Sequence, residues 1–281
     1  MGDSIHNIQQ VVVVSDLHCG CKLGLFPSKL VKLDEGVTYN PSLLQLKMWE
    51  WWIYFWNNWV PLMTRHQPFA VVINGDTTDG RHHNTVTQIS QNLSDQRKIA
   101  LAILKPIVDM CEGHFYMIRG TEAHVGQSGE NEETLASELK TIPDELGHYA
   151  RWEIWMRVAG KLAHITHHIG TTGSMAYETT ALMKEYAEAC AEAGKWKYDS
   201  PDVIIRSHRH RSSEIRVPTI NGDGICCVTP GWQLKTPLTY RMPLGRTTTP
   251  QMGGILFRVG DEEHFIRHKV WNISRTPEVI L

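Results

Sequence analysis

Carboxylate and imidazole side chains gather in five short stretches of this chain. The stretches are Asp16-Leu17-His18, Gly75-Asp76-Thr77-Thr78-Asp79, Gly120-Thr121-Glu122-Ala123-His124, Thr166-His167-His168 and Ser207-His208-Arg209-His210. Acids and histidines in this number are costly to bury unless they bind cations. A set of oxygen and nitrogen ligands without thiolates suits Mn, Fe, Zn or Ni rather than a cysteine-rich structural zinc site. The residue types therefore predict a metal centre assembled from distant parts of the chain.

Short apolar runs rich in β-branched residues lead into most of these stretches. The runs cover residues 11–16, 69–74, 115–118 and 203–205, and their lack of a polar face is typical of strands covered on both sides. Open α/β sheets hold their ligands beyond the carboxyl ends of such strands. Residues i and i+2 of an extended chain share a face, so Asp16 with His18, and His208 with His210, can each converge on one point.

Periodic patterns predict helices between these strands. They cover residues 43–60, 85–108 and 177–193, the last with Gly194 as its stop. The alternation of strand and helix predicts parallel pairing in the first half, and the short segments after residue 160 predict antiparallel or mixed pairing. We expect an α/β fold, a four-layer α-β-β-α sandwich of two mixed sheets flanked by helices, in a single domain over residues 1–281.

Composition argues against several classes of protein. Charged residues make up 21% of the chain and the formal net charge is −2, which disfavours disorder and a broad basic surface for nucleic acid. Six cysteines without a spaced framework disfavour a disulfide-stapled secreted domain. No signal peptide is evident, and residues 43–63 are too polar to span a bilayer. We expect a cytoplasmic protein without membrane contact, and the oligomeric state stays open.

The order of the five stretches resembles that of the calcineurin-like metallophosphoesterase superfamily. The family pattern is D-x-H, G-D-x-x-D, G-N-H-D/E, a strand-end His and G-H-x-H, and this chain follows it from residue 16 to residue 210. Ser207 replaces the last glycine, and the R-G-T-E-A-H form of the third stretch is similar to that of phage- or prophage-type members. The resemblance implies two divalent metal ions, with Mn²⁺ expected first and Fe, Zn or Ni as alternatives.

Carried over position by position, the resemblance implies a role for each residue. One ion would be held by Asp16, His18 and His210. Asp76 would bridge this ion to the second one, and Asp79 would orient a ligand or a bound water.

The second ion would be held by His208 and by either His167 or His168. We expect His167 to be the ligand, by analogy with strands that end in two adjacent histidines.

The third stretch departs from the family pattern. Thr121 stands where the family has an Asn ligand, and Glu122 stands where the family has its catalytic His. Three readings are open: the Thr121 hydroxyl binds weakly, Glu122 supplies a carboxylate, or the loop bulges so that His124 takes the catalytic position. We expect His124 to be the acid or a phosphate contact and Glu122 to be a ligand of the second metal.

The resemblance implies a phosphoester hydrolase that activates water at a dinuclear metal centre. We expect a phosphodiesterase or phosphatase that acts on a nucleotide-like or small phosphoester. A DNA or RNA nuclease of the same superfamily is the alternative, and a non-enzymatic scaffold with a decayed site is the least favoured. Arg206, Arg209 and Arg211 surround the last histidine pair, and a guanidinium suits a phosphate well. A solvated cation on an edge strand is the alternative for each, and Arg209 is the expected phosphate contact.

Residues 229–254 carry few helix or strand signals, which is typical of a lid or binding loop. The segment contains Trp232, Tyr240, Arg241 and Arg246, groups that stack on bases and hold phosphates. His82 and His83 either line the mouth of the cleft or lie on a solvated loop.

Overall fold

The computed structural model describes residues 8–82, 84–170, 175–242, 248–261, 263–274 and 279; His83 and Arg246 lie outside them. In chain order the strands are β1 (Gln10–Val14), β2 (Val31–Lys32), β3 (Thr38–Tyr39), β4 (Ala70–Asn74), β5 (Phe115–Ile118), β6 (Ala150–Arg151), β7 (Ile154–Val158), β8 (Lys161–Ile165), β9 (Val203–Arg206), β10 (Ser213–Thr219), β11 (Gly222–Val228), β12 (Gln251–Val259) and β13 (His264–Asn272). The helices are α1 (Leu43–Tyr54), α2 (Val60–Thr64), α3 (Leu93–Met110), α4 (Glu122–Val125), α5 (Glu130–Leu139), α6 (Glu178–Trp196) and α7 (Pro237–Arg241). A π-helical turn (Phe55–Trp59) joins α1 to α2, and a 3₁₀ turn (Met175–Tyr177) precedes α6.

Six strands form the first sheet, in the order β13-β12-β1-β4-β5-β6. Strands β1, β4, β5 and β6 run parallel, whereas β12 is antiparallel to both β1 and β13. The strands β1 and β4 are buried along their whole length, as expected of strands covered on both faces. Because β1, β4 and β5 are parallel, the loops that follow them emerge at one edge of the sheet.

Five strands form the second sheet, in the order β10-β11-β9-β8-β7. Strand β9 is parallel to β8 and β11, and the outer pairs β7–β8 and β10–β11 are antiparallel. Strands β8 and β9 therefore deliver residues 166–168 and 207–210 to the same edge of this sheet.

Alternating side chains of the strands build the layers. Val11 of β1 and Val203 of β9 belong to the apolar cluster between the two sheets. Val12 points to the other side of β1, where helices α1, α3 and α5 cover the first sheet. Ile204 and Cys226 face α6, which covers the second sheet. The predicted sandwich of two mixed sheets flanked by helices is confirmed.

Two predicted helices differ from the observed ones at their ends. The helix predicted over 43–60 changes to a π turn at Phe55, since Pro61 has no N–H to offer the carbonyl of Asn57 and the Val60 N–H donates to the Phe55 carbonyl. The helix predicted over 85–108 begins only at Leu93, where the Asn92 side chain accepts the Ser94 N–H at 2.9 Å.

The third predicted helix and the 229–254 segment also differ from expectation. The helix predicted to stop at Gly194 runs on to Trp196 and ends with Lys197 in the left-handed conformation. Within the described part of residues 229–254, Trp232 is fully buried, α7 forms a short helix, and the last residues begin β12. Among the described residues, no helix combines the length and apolarity that a membrane crossing requires.

Candidate metal centre

The five stretches meet where the strands β1, β4, β5, β8 and β9 end. Three groups of side chains bring their ligand atoms within 4.8 Å of one another: Asp16, Asp76, His167 and His208; Asp16, His18 and His210; and His18, Asp79 and His124. Asp16 belongs to the first two groups, so these two groups are immediate neighbours. The fold thus holds a cluster of acids and histidines that could bind metal ions.

Backbone hydrogen bonds fix the ligand loops against one another. The Asp16 N–H donates to the Gly75 carbonyl at 3.0 Å, and the His18 N–H donates to the Asp76 carbonyl at 3.0 Å. From the other side, the Trp232 N–H donates to the Asp16 carbonyl at 2.9 Å. The loops after β1 and β4 are therefore bonded to each other, and the buried Trp232 connects them to the core.

Five of the clustered residues have left-handed backbone conformations. Their φ angles are 54° at Asp16, 45° at His18, 51° at Asp76, 73° at His208 and 52° at His210. A residue with a Cβ atom gives up ~1–2 kcal/mol in this region, and such strain concentrates at functional sites. The surrounding sheet ends and loop hydrogen bonds hold these residues in conformations that they would not adopt alone.

His167 is oriented as a ligand by the strand next to it. Its Nδ1 lies 2.7 Å from the Asn74 carbonyl, which only accepts hydrogen bonds, so Nδ1 carries the proton. Its Nε2 faces the cluster, 3.1 Å from Oδ2 of Asp76 and 3.9 Å from Oδ1 of Asp16. His168 is exposed, and its ring lies 5.5 Å from that of His208. His167 thus faces the cluster, and its choice over His168 as the metal ligand stays a prediction.

The electrostatics of the cluster are those of buried acids and imidazoles packed closely against one another. Burial alone would lower the pKa of His167, but the carboxylates of Asp76 and Asp16 outweigh it and raise that pKa to about 10. Burial alone would raise the pKa of Asp76, but the imidazoles of His167 and His124 hold it well below its usual range. The pKa of His210 is likewise raised against burial, chiefly by Asp16.

The buried polar atoms of the cluster fit divalent cations. Oδ1 of Asp16, Nδ1 of His18 and Oδ2 of Asp79 are buried and have ion-pair contacts within the cluster, but none of them makes a hydrogen bond of good geometry to a described residue. Such atoms are costly to bury unless a cation takes up their lone pairs. Carboxylate and imidazole ligands together match the hard-to-borderline divalent ions that the sequence predicts.

His124 lies at the rim of the cluster, beside the loop after β4. Its Nδ1 donates to the Asp79 carbonyl at 2.7 Å, and its ring lies 4.5 Å from the ring of His18. Burial lowers the pKa of His124 to about 4. The Asp79 carboxylate contacts His18 Nδ1 at 3.4 Å and His82 Nε2 at 3.5 Å, so Asp79 organises the imidazoles on this side.

The third stretch brings Thr121 to the site and leaves Glu122 outside it. The Thr121 N–H donates to Oδ1 of Asp76 at 2.7 Å, and its hydroxyl lies 3.1 and 3.2 Å from the two oxygens of the same carboxylate. Glu122 is exposed on the first turn of α4 and belongs to none of the three ligand groups. The short helix α4 turns its Glu122 side chain to solvent, and the geometry gives no support to Glu122 as a ligand.

Glu132 is a site residue that sequence reasoning missed. It is completely buried, and its two oxygens accept the Thr77 N–H at 2.8 Å and the Gly120 N–H at 2.7 Å. Burial first, and then the nearby Asp76 carboxylate, raise the pKa of Glu132 to about 7. Its sequence context, Glu130-Asn131-Glu132-Glu133, is typical of a solvated helix start, so no local signal pointed to a clamp between the two loops.

Arg209 is engaged away from the ligand atoms. Its guanidinium donates to the backbone carbonyls of Glu178 and Gly170, which ties the loop after β9 to the start of α6. Its neighbour Arg206 contacts Glu185 at 3.0 Å. These contacts give Arg209 a part in holding the loop, and its phosphate contact stays a prediction.

Comparison with known proteins gives structural likeness only. No protein-family model matches the chain, and no curated protein matches it in sequence. Vacuolar Protein Sorting 29 from Cryptosporidium parvum is 8% identical over 94% of this chain and 98% of its own, with a TM-score of 0.33. The protein TM1076 of Thermotoga maritima is 9% identical over 94% and 100%, with a TM-score of 0.35. The Thermus thermophilus sulfate thiohydrolase SoxB is 11% identical over 94% of this chain and 56% of its own, with a TM-score of 0.41. At these values the likeness identifies neither family nor substrate.

Proposed function

We propose that this protein is a metal-dependent phosphoester hydrolase with two divalent ions at the strand-end cluster. The observation that carries the proposal is that two ligand groups share Asp16, which supports two adjacent cations. His18 and His210 would complete one site, and His167 and His208 the other. Asp16 is the carboxylate common to both groups, whereas Asp76 belongs to the group of His167 and His208 and its expected bridging role stays a prediction. Thr121 would orient the Asp76 carboxylate through its hydrogen bonds.

The reaction follows from what the bound ions supply and from what the chain then adds. Paired divalent ions polarise a phosphoryl group and lower the pKa of an attacking water. His208 is the most open ligand, with 45% of its side chain exposed, so a phosphoester would approach from its side. Asp16 and Asp76 are fully buried, which keeps water away from the opposite side of the cluster.

His124 is the proposed proton carrier. Its Nδ1–H is committed to the Asp79 carbonyl, so Nε2 is the atom that exchanges a proton. In the metal-free site burial holds its pKa at about 4, and an anionic phosphate placed beside the ring would raise that pKa. The Nε2–H would then donate to the departing alkoxide.

Metal content and hydrolysis test the proposal together. Protein loaded with Mn²⁺ is expected to hold two ions per chain and to hydrolyse bis-p-nitrophenyl phosphate, with p-nitrophenyl phosphate, cyclic nucleotides and linear DNA compared in parallel. Asp76→Asn should lower turnover by about 100-fold or more, since it removes a charged ligand. Asp199→Asn is the matched control, because Asp199 is exposed on the surface and pairs with Arg157. Full turnover in Asp76→Asn, or fewer than two bound ions in the wild type, would contradict the proposal, and the second result would favour a decayed site.

Leaving-group dependence tests the role of His124. His124→Ala should slow hydrolysis of an alkyl phosphodiester by about 100-fold, and that of a nitrophenyl ester much less, because nitrophenolate departs without a proton. Equal losses on both substrates would remove the assignment.

A further inference from the structure

A row of cations interleaved with aromatic rings lies on the outer face of the edge strand β13. Residues 265, 267, 269 and 271 lie on the same face of this strand, because side chains alternate between its two faces. Arg267 lies over Phe265 at 5.1 Å, and Lys269 lies over the Trp271 ring at 4.8 Å. Over these seven residues the row extends about 20 Å, from the strand rise of ~3.3 Å per residue.

Helix α1 adds a second row beside the first. Lys47, Trp51 and Tyr54 are spaced four and three residues apart, so they share one face of the helix. Trp51 stacks on Trp271 at 5.8 Å with an angle of 13° between the rings, and Lys269 lies 5.1 Å from the Tyr54 ring. We call the surface formed by these groups the β13 ladder; its members are Lys47, Trp51, Tyr54, Arg267, Lys269 and Trp271.

The charge of the β13 ladder is uniform along the sheet. Neither β12 nor β13 contains an acidic residue, and Arg258 of β12 stands opposite Phe265. Lys47 also contacts Glu50 at 2.7 Å, an exposed pair whose contribution is screened by solvent. Tyr54 is 48% exposed, so part of the aromatic surface is open to solvent.

The β13 ladder ends beside the metal centre. The ring centroid of Trp271 lies 6.0 Å from that of the buried Trp232, and the backbone N–H of Trp232 donates to the carbonyl of Asp16. Gln251 forms a second connection, since its N–H donates to the His210 carbonyl at 2.8 Å and its amide donates to Asn272 at 2.8 Å. The carboxyl end of β13 therefore lies next to the loops that carry Asp16 and His210.

We propose that the β13 ladder binds single-stranded nucleic acid and leads it to the metal centre. Ammonium and guanidinium groups would take the phosphates, and the exposed Tyr54 ring would stack on a base, whereas Trp51 and Trp271 pack partly against the core and support that surface. A duplex keeps its bases stacked inside, so it could use only the cations. Delivery to the cluster rests on the proposed function and makes it specific, whereas binding along β13 does not depend on it.

Binding of a labelled twelve-nucleotide oligothymidine, followed by fluorescence anisotropy, tests this surface with the full chain, both Mn²⁺-loaded and EDTA-treated. The single strand should bind more tightly than a duplex of the same length, and its affinity should fall with salt. The double variant Lys47→Gln, Lys269→Gln should bind about tenfold more weakly and lower the salt slope by about 1.4, since each of two lost phosphate contacts on a single strand accounts for ~0.7. Tyr54→Ala should weaken binding about fivefold through lost stacking.

Lys195→Gln is the matched control, because Lys195 lies over the exposed Trp196 at 4.9 Å on α6, far from β13. It should change the affinity less than twofold. No binding of the single strand, tighter binding of the duplex, or equal losses in the control and the double variant would overturn the inference. Hydrolysis of bis-p-nitrophenyl phosphate by the double variant should stay within twofold of wild type. If the wild type binds the strand but hydrolyses no diester, the proposed function fails and the β13 ladder stands.

Discussion

Metal binding to this cluster should release protons, because a histidine that must bind metal as the neutral ring is protonated in the metal-free site. The carboxylates of Asp76 and Asp16 raise the pKa of His167 to about 10 despite its burial, and its Nε2–H bonds Asp76 at 3.1 Å. A cation at the group of Asp16, Asp76, His167 and His208 therefore has to displace that proton.

The cost of this displacement sets the pH dependence of affinity. A pH of 7 lies about three units below the His167 pKa of about 10, so removing the proton at pH 7 costs about 4 kcal/mol. This cost lowers the apparent metal affinity by a factor of about a thousand. The affinity should therefore rise about tenfold per pH unit between pH 6 and 9 for this proton alone. The pKa of His210 is also raised, chiefly by Asp16, so binding at the neighbouring group should favour proton release in the same direction.

Isothermal titration with Mn²⁺ at pH 7, in two buffers of different ionisation enthalpy, counts the protons directly. We expect at least one proton released for the ion that binds at His167. His148→Ala is the control, because His148 is exposed and its only described ion pair is to Asp144, so the count should not change. A count of zero at pH 7, or an affinity that does not change between pH 6 and 9, would refute the reasoning.

Three further predictions concern stability and packing at the site. The pKa of His167 is about 10 in the folded protein against an ordinary 6.5, so the ion pairs of protonated His167 should stabilise EDTA-treated protein fully below pH 6.5. This contribution should be lost as the pH rises toward 10. A free energy of unfolding in urea that does not change over this range would contradict the ion pairing. Glu132→Ala leaves two buried backbone N–H groups without an acceptor and should lower the free energy of unfolding by about 3 kcal/mol in urea melts, whereas an unchanged midpoint would rule out the clamp. Gly120→Ala places a Cβ atom 2.1 Å from a carboxylate oxygen of the site and should abolish Mn²⁺ binding in equilibrium dialysis, while Gly194→Ala, with nothing within 4 Å, should bind normally; equal binding by both would show that the loop has room to move.

Sequence patterns predicted which residues come together at the ends of the strands. They did not predict features that depend on the local backbone conformation or on the direction of a side chain. Runs such as 11–16 and 69–74 carry period and composition that identify buried parallel strands, and parallel strands bring their following loops to one edge. That rule alone unites Asp16 with Asp76. The same rule says nothing about α4, a single turn whose direction turns Glu122 outward and Thr121 inward.

Helix ends and the Glu132 clamp were beyond pattern reasoning for a different reason. Periodicity extends a helix through residues 85–92, but these residues bond the loop after β1 instead, as in the Lys22 N–H to Thr87 carbonyl contact of 2.8 Å. Glu132 reads as solvated because its neighbours in sequence are acidic, and only the tertiary position of α5 places it under Thr77 and Gly120. Both outcomes are tertiary contacts that override local preference.

The left-handed backbone at the site has a consequence for thermal stability, because each such residue lowers the stability of the fold. The residues are Asp16, His18, Asp76, His208 and His210. At His208, the most exposed of the five, glycine would remove the ligand and relieve the torsional penalty together, whereas alanine would remove the ligand and keep the penalty. At Asp16 and Asp76 glycine would also remove the ion-pair partners of the buried His167. We therefore expect variants that lose activity and melt at a higher temperature than the parent. Mutation without selection for activity should reach such variants early. An alanine scan of the centre would not reveal them, because alanine keeps the torsional penalty.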